Sequence, residues 1–116
     1  MKFNTVNMYD ELVNLAADIF ETYGVTLRLE WDDYDNYIVL DRIEKRPSIK
    51  SSPVAGFEAM REVIKFADKN EVGIKLIASA SYGTPLDKLL PFYKHFGFKI
   101  GAKHPSDDVN MIRPPQ

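Results

Sequence analysis

The sequence has no cysteine. That excludes disulfides, zinc–thiolate centres and thiol nucleophiles, and it permits a reducing compartment. Its two histidines, His95 and His104, are too few for a metal site and lack carboxylate partners at ligand spacing. No segment approaches the roughly 20 apolar residues of a membrane span. The opening MKFNTVNMYDEL carries neither a long apolar run nor a cleavage-like patch, so a soluble, cytoplasmic protein with no membrane partner is expected. Repeats, linkers and low-complexity tracts are missing too. A chain of 116 residues is then expected to be one domain, residues 1–116, large enough to bury a core without staples.

Basic residues are scarce at one end. Residues 1–44 hold Lys2, Arg28 and Arg42 against ten carboxylates, whereas the remainder holds twelve basic residues against seven acidic ones. This polarity suits a protein that holds an anionic ligand at one end and a cationic group at the other. It equally suits two merely solvated surfaces. The overall acidity, with no recognisable basic motif, argues against nucleic acid as a partner.

The hydrophobic pattern supplies the elements. Tyr9, Leu12, Val13, Ala16, Ile19, Phe20 and Tyr23 fall at helical spacing, with Asn7 as a plausible cap and Gly24 as a stop. VTLRLEW (25–31) and YIVLDRIE (37–44) are rich in β-formers, and the DDYDN between them predicts a turn and hence an antiparallel hairpin. A small, basic, proline-containing loop, KRPSIKSSPVAG (45–56), leads to a second amphipathic helix marked by Phe57, Met60, Val63, Ile64 and Ala67. Ser52 and Pro53 would allow that helix to begin as early as 53.

GIKLIASAS (73–81) reads as an interior strand. Thr84, Pro85 and Asp87 resemble a capped helix start with proline at its first position. Pro91 predicts a kink or a restart, with 92–96 as the last turn. FKI and VNMIRP (109–114) close the chain as a hairpin. Helices covering a partly antiparallel sheet follow from this order, an α/β chain of the α+β type.

Three stretches resemble the GNAT superfamily of N-acetyltransferases. A strand, a small-residue loop and an amphipathic helix over 37–70 look like its acetyl-CoA core. PFYKHFGFKIG is similar to its recurrent aromatic–tyrosine–lysine pattern ahead of Gly-Phe, and NMIRP to its last strand. The likeness covers about residues 25–114 and leaves the N-terminal part looking shortened. It implies a mixed, mostly antiparallel sheet with helices on both faces, and acetyl-CoA as cosubstrate. The acceptor it implies is an amine, either a small molecule or a protein lysine or N-terminus. The phosphates would lie against the start of the second helix, where unpaired N–H groups and the positive dipole end coincide. The residues implied there are Ile43, Lys45, Arg46, Lys50, Ser51, Ser52, Val54, Ala55, Gly56 and Phe57, together with Tyr93.

Tyr93, exposed-looking in the sequence, would be the general acid that protonates the departing thiolate. Asp41 or Glu44 would be the base. Each has a plainer reading: a half-buried aromatic at a helix end for Tyr93, a solvated hairpin face for the carboxylates, a polar connection for the loop. In the loop only Gly56 matches the family's glycine-rich pattern, since Val54 stands where a glycine would let the backbone approach phosphate and Pro53 removes a donor. The same fold without acetyl-CoA use, acting as a protein-binding module, is therefore the alternative expectation.

Overall fold

A computed structural model of the chain describes residues 5–45, 55–79, 85–103 and 108–116, with the side chains of 5–7, 42–45 and 102–103 left out. The elements run α1 (Thr5–Tyr23), β1 (Val25–Asp32), β2 (Tyr37–Lys45), α2 (Ala55–Asn70), β3 (Gly73–Ala78), α3 (Leu86–His95), β4 (Lys99–Lys103) and β5 (Val109–Arg113). They form one five-stranded sheet in the order β1-β2-β3-β5-β4. Among the described strands, only β2 and β3 pair in parallel, joined by α2 as the crossover helix that a parallel pair requires. The expected mixed, mostly antiparallel sheet is therefore present.

Helix α1 starts at Thr5, so Asn7 lies inside the helix rather than capping it. The buried face is also rotated from the expected one. Met8, Leu12 and Ile19 are fully buried, whereas Tyr9 and Val13 are 50% and 65% exposed. Methionine at 8 fits the helical period with 12, 15 and 19, and burying each such side chain stabilises by about 1.5–3 kcal/mol. Gly24 ends α1 as expected, at φ 70°, with its N–H donating to the Phe20 carbonyl at 2.9 Å.

The hairpin turn is held by Asp32, whose carboxylate accepts the N–H of Tyr34 at 2.9 Å and of Asp35 at 3.2 Å. Asn36 takes the left-handed conformation at φ 61°, which asparagine tolerates better than most residues. Strand β3 stops at Ala78, short of the expected 81. Pro85 precedes α3 instead of opening it, and the helix runs without a restart through Pro91 to His95. At the sixth position of this helix the proline forfeits the backbone bond that its nitrogen would otherwise donate to the Asp87 carbonyl, and the helix continues past it. Thr84 lies outside the described residues.

Residues opposite one another in a ladder share a face. Trp31, Ile38 and Ile74 are such a row, and Leu29, Leu40, Leu76 and Met111 are the next. Most of these side chains are buried, together with Ala59, Met60, Val63 and Ala67 of α2 and Tyr93 of α3. The Phe57 ring of α2 lies 5.1 Å from His95 and 5.0 Å from Phe96, so α3 packs beside α2. Among the described residues, all three helices therefore gather on this one face. The expectation of helices on both faces needs that correction: the other face, bearing Glu30, Asp41, Lys75 and Ile77, carries no described helix.

Arg113 fastens the helical layer to the sheet. Although 7% exposed, it donates from Nε to the Phe96 carbonyl at the end of α3 at 2.8 Å and from Nη1 to Asp68 of α2 at 2.9 Å. A buried guanidinium is tolerable only with such partners.

Candidate functional site

The parallel ladder between β2 and β3 is short. It pairs Tyr37 to Leu40 with Gly73 to Leu76 and ends there, although β2 continues to Lys45 and β3 to Ala78. On the other side of β2, Arg28 faces Arg42 while Leu29 faces Leu40, leaving Asp41 as the extra residue of a β-bulge. A bulge bends its strand and sharpens the local twist. Here it falls on the residue where β2 parts from β3, which accounts for the splay.

The splay opens onto a groove of about 310 Å3 on the uncovered sheet face. One wall is Val39, Lys75 and Ile112, and the other is Asp41, Ile77 and Asn110. The backbone of Leu40, Leu76 and Met111 lies between them, and Gly101 is at the β4 end. Apolar surface dominates, and Asp41 is the carboxylate in it. Its side chain is 53% exposed, with Arg28 at 3.8 Å, while Arg28 lies closer to Glu30, at 3.2 Å. The Lys75 ammonium is engaged by Asp32 and by Asp35, the latter at 3.3 Å. Hydrogen bonding from Lys75 holds the Asp32 carboxyl below its ordinary pKa, and the Asp32 carboxylate raises that of Lys75 in return.

Several expected site residues sit near this splay. Asp41 lines the groove, and the backbone of Ile43, Glu44 and Lys45 continues β2 beyond the last ladder pair. Ala55, Gly56 and Phe57 form the first turn of α2, which follows β2 in the chain. A side chain added at Gly56 would meet none of the described residues within 4 Å, so they leave space over the backbone there, as close approach of a phosphate would require. Arg46, Lys50, Ser51, Ser52 and Val54 lie outside the described residues, as does His104.

Tyr93 is not exposed. At 5% exposure it is part of the core, edge-on to Phe92 and Phe98 at 5.2 Å and 5.7 Å. It is absent from the groove walls. Burial alone pushes its hydroxyl up to about 12, so the phenol keeps its proton at any physiological pH.

The sequence reading missed Lys75, Ile77, Gly101, Asn110 and Ile112 as groove residues. The period-2 alternation in GIKLIA and VNMIR carries that signal, since it sets Lys75 with Ile77, and Asn110 with Ile112, on the face opposite the core. The acidic N-terminal half also proves to be divided: Asp10, Glu11, Asp18 and Glu21 are exposed on α1 over one face of the sheet, whereas Glu30 and Asp41 belong to the other. Among the described residues, no three or more histidines and carboxylates are grouped to hold a metal, and no helix is long and apolar enough to cross a membrane.

No family model matches the chain, and no curated protein matches it. Among solved structures, it is similar to Naa50 of Arabidopsis thaliana in complex with the bisubstrate analogue CoA-Ac-MVNAL. The TM-score is 0.55 and the identity 19%, over 77% of this chain and 62% of that one. The present chain thus spans under two thirds of the length of that protein. At this identity the likeness speaks for the fold, and the fold is GNAT-like, with a splayed β2–β3 pair at its centre.

Proposed function

We propose that the chain is an acetyl-CoA-dependent N-acetyltransferase that moves an acetyl group directly to an amine acceptor. The observation that carries this reading is the end of the parallel ladder at Leu40 and Leu76, with the Asp41 bulge at the same point. A splay of this kind frees backbone donors and acceptors for an extended ligand arm while keeping them fixed in place. The first turn of α2 follows β2 and offers unpaired N–H groups for the pyrophosphate, with Ala55, Gly56 and Phe57 in it and Ser51, Ser52 and Val54 ahead of it. Ile43, Lys45, Arg46 and Lys50 would flank the ligand from the strand and the loop.

In the reaction, the amine nitrogen forms a bond to the acetyl carbonyl carbon and the C–S bond breaks. Asp41 or Glu44, through water, receives the proton that the ammonium must lose, and the departing sulfur gains a proton. Tyr93 is the donor in this reading, supported by its protonated state at neutral pH. Its distance from the groove walls favours the rival reading, a GNAT-like domain that binds a protein and ignores acetyl-CoA.

Thiol release from acetyl-CoA in the presence of a mixed panel of amines separates the two. Amine-dependent release that disappears when the acceptor is omitted supports transfer. Absence of release with every amine, together with a stoichiometric protein partner whose binding is unaffected by CoA, supports the binding module.

A further inference from the structure

The groove on the open sheet face has a direction. Its walls cross the strands, from β2 through β3 and β5 to β4, which at about 4.8 Å per strand makes a trough roughly 14 Å long. At the β2 end stands Asp41, beside the splay. Val39 stands at the same end, and along the middle lie Ile77 of β3 and Ile112 of β5, with Ile77 48% exposed although it is an aliphatic side chain on a strand. At the β4 end is Gly101, whose missing side chain leaves the trough open towards Asn110. Lys99, paired with Ile112, is exposed on β4 on the same face.

The charge along the trough is uneven. Asp41 is the carboxylate among the lining residues, and its contact with Arg28 is longer than the one Arg28 makes with Glu30. Lys75, the lining cation, is already held by Asp32 and Asp35. Among the described residues the far end offers Lys99 and no lining carboxylate. A ligand matching this pattern has one ammonium, placed at Asp41, followed by an uncharged apolar stem. A second ammonium further along would have no carboxylate to meet among the groove residues and would approach Lys99, an arrangement that discriminates against it.

We propose that the groove binds a primary monoamine carried on an alkyl or arylalkyl stem, and that it discriminates against linear polyamines. As the acceptor class of the transferase this rests on the reading above; as a binding site it stands without it. The ammonium pairs with Asp41 at the splay, the stem lies between Ile77 and Ile112, and Gly101 supplies the space for its end.

The test is a titration of the full chain, without acetyl-CoA, with phenethylamine, hexylamine, spermidine and phenylpropanoate, followed by amide chemical shifts. The two monoamines should saturate, with shifts at Ile77, Gly101, Asn110 and Ile112, and spermidine and phenylpropanoate should bind at least tenfold more weakly. Asp41→Asn should weaken monoamine binding about tenfold. Gly101→Ala, whose added Cβ would meet its nearest described neighbour at 3.7 Å, an ordinary contact, should weaken phenethylamine more than methylamine titrated alongside it. Equal or tighter binding of spermidine, shifts outside the trough, or indifference to Asp41→Asn would overturn the proposal. Monoamine binding in a chain that fails to bind acetyl-CoA would leave this site standing and remove the transferase reading. Acetyl transfer to spermidine in preference to monoamines would do the reverse.

Discussion

Leu40 and Leu76 are the last partners of the parallel ladder, and the residue after Leu40 is the bulged Asp41. The leucines pack into the core at 2% and 5% exposure and fix where the two strands part, while the bulge turns β2 away from that point. Shifting the register of β2 by one residue would place Asp41 in the core, so the position of the splay and the burial of the leucines are specified together.

Tyr93 tests the acid role and the core role separately. Tyr93→Phe should change stability by less than about 1 kcal/mol, because no hydrogen bond to the hydroxyl is present among the described residues and the ring is kept. Tyr93→Ala should cost about 3–5 kcal/mol as a core truncation. In the transferase, Tyr93→Phe should lower kcat at least tenfold with acetyl-CoA affinity unchanged; a Phe variant with full turnover would take Tyr93 out of the chemistry.

Tyr93 also sets an alkaline limit on stability. Its hydroxyl is raised from an ordinary 10 to about 12, so the folded state holds the proton more tightly than the unfolded chain. The stabilisation is complete below about pH 10 and is lost as pH rises towards about 12. Urea midpoints measured between pH 8 and 12 should fall over that window in the natural chain and fall less in Tyr93→Phe.

The acid limb belongs to the Lys75 network. Because Lys75 lowers the Asp32 carboxyl, the contribution of this pair is present above the ordinary carboxylate range and fades as pH falls through the folded value. Lys75→Met should raise the Asp32 midpoint in a carboxyl carbon NMR titration. Stability curves of the variant and the natural chain should converge in acid, and an unmoved Asp32 midpoint would show that the pair is not formed in solution.

Arg113 and Asp68 give the clearest stability prediction. Asp68→Ala leaves a buried guanidinium with the Phe96 carbonyl as its remaining acceptor among the described residues and should cost about 1–3 kcal/mol, Asp68 itself being half-exposed. Arg113→Ala removes both bonds and should cost more. Equal urea midpoints for Asp68→Ala and the natural chain would show that this ion pair contributes nothing.

Gly73 is needed for packing rather than for its φ. A Cβ there would lie 2.8 Å from the Arg113 carbonyl oxygen and closer still to the Tyr37 ring. Gly73→Ala should lower stability by about 1–3 kcal/mol through overpacking. Gly73→Ala in a Tyr37→Leu background should recover part of the loss in a thermal melt, although the carbonyl contact remains.

The sequence was informative where a local rule decided the outcome. The hairpin over 25–44, the Gly24 stop and the order of strands and helices follow from alternation and turn chemistry. Met8, by contrast, competes with Tyr9 and Val13 for the buried face, because helical periodicity alone does not say which of two adjacent apolar stripes meets the sheet. The burial of Tyr93 was hidden for the same reason: an aromatic at a helix end fits either a wet hydroxyl or a core ring until the neighbouring strand is placed. Asp41 was visible as a strand carboxylate beside the loop. The bulge that gives it a position depends on pairing with β1 and β3, which no local pattern records. Asn110 and Ile112, the β5 members of the two walls, lie more than 60 residues further along the chain from Asp41, and only the sheet order brings them together.

The most direct test of the central claim is a titration of acetyl-CoA into the full chain, with heat and amide chemical shifts followed together. The account predicts saturable binding with shifts along Asp41–Lys45, at Ala55–Phe57 and at Leu76–Ala78, on the two sides of the splay and at the start of α2. Absence of binding at millimolar acetyl-CoA, or saturable binding that leaves those three stretches unperturbed, would contradict it.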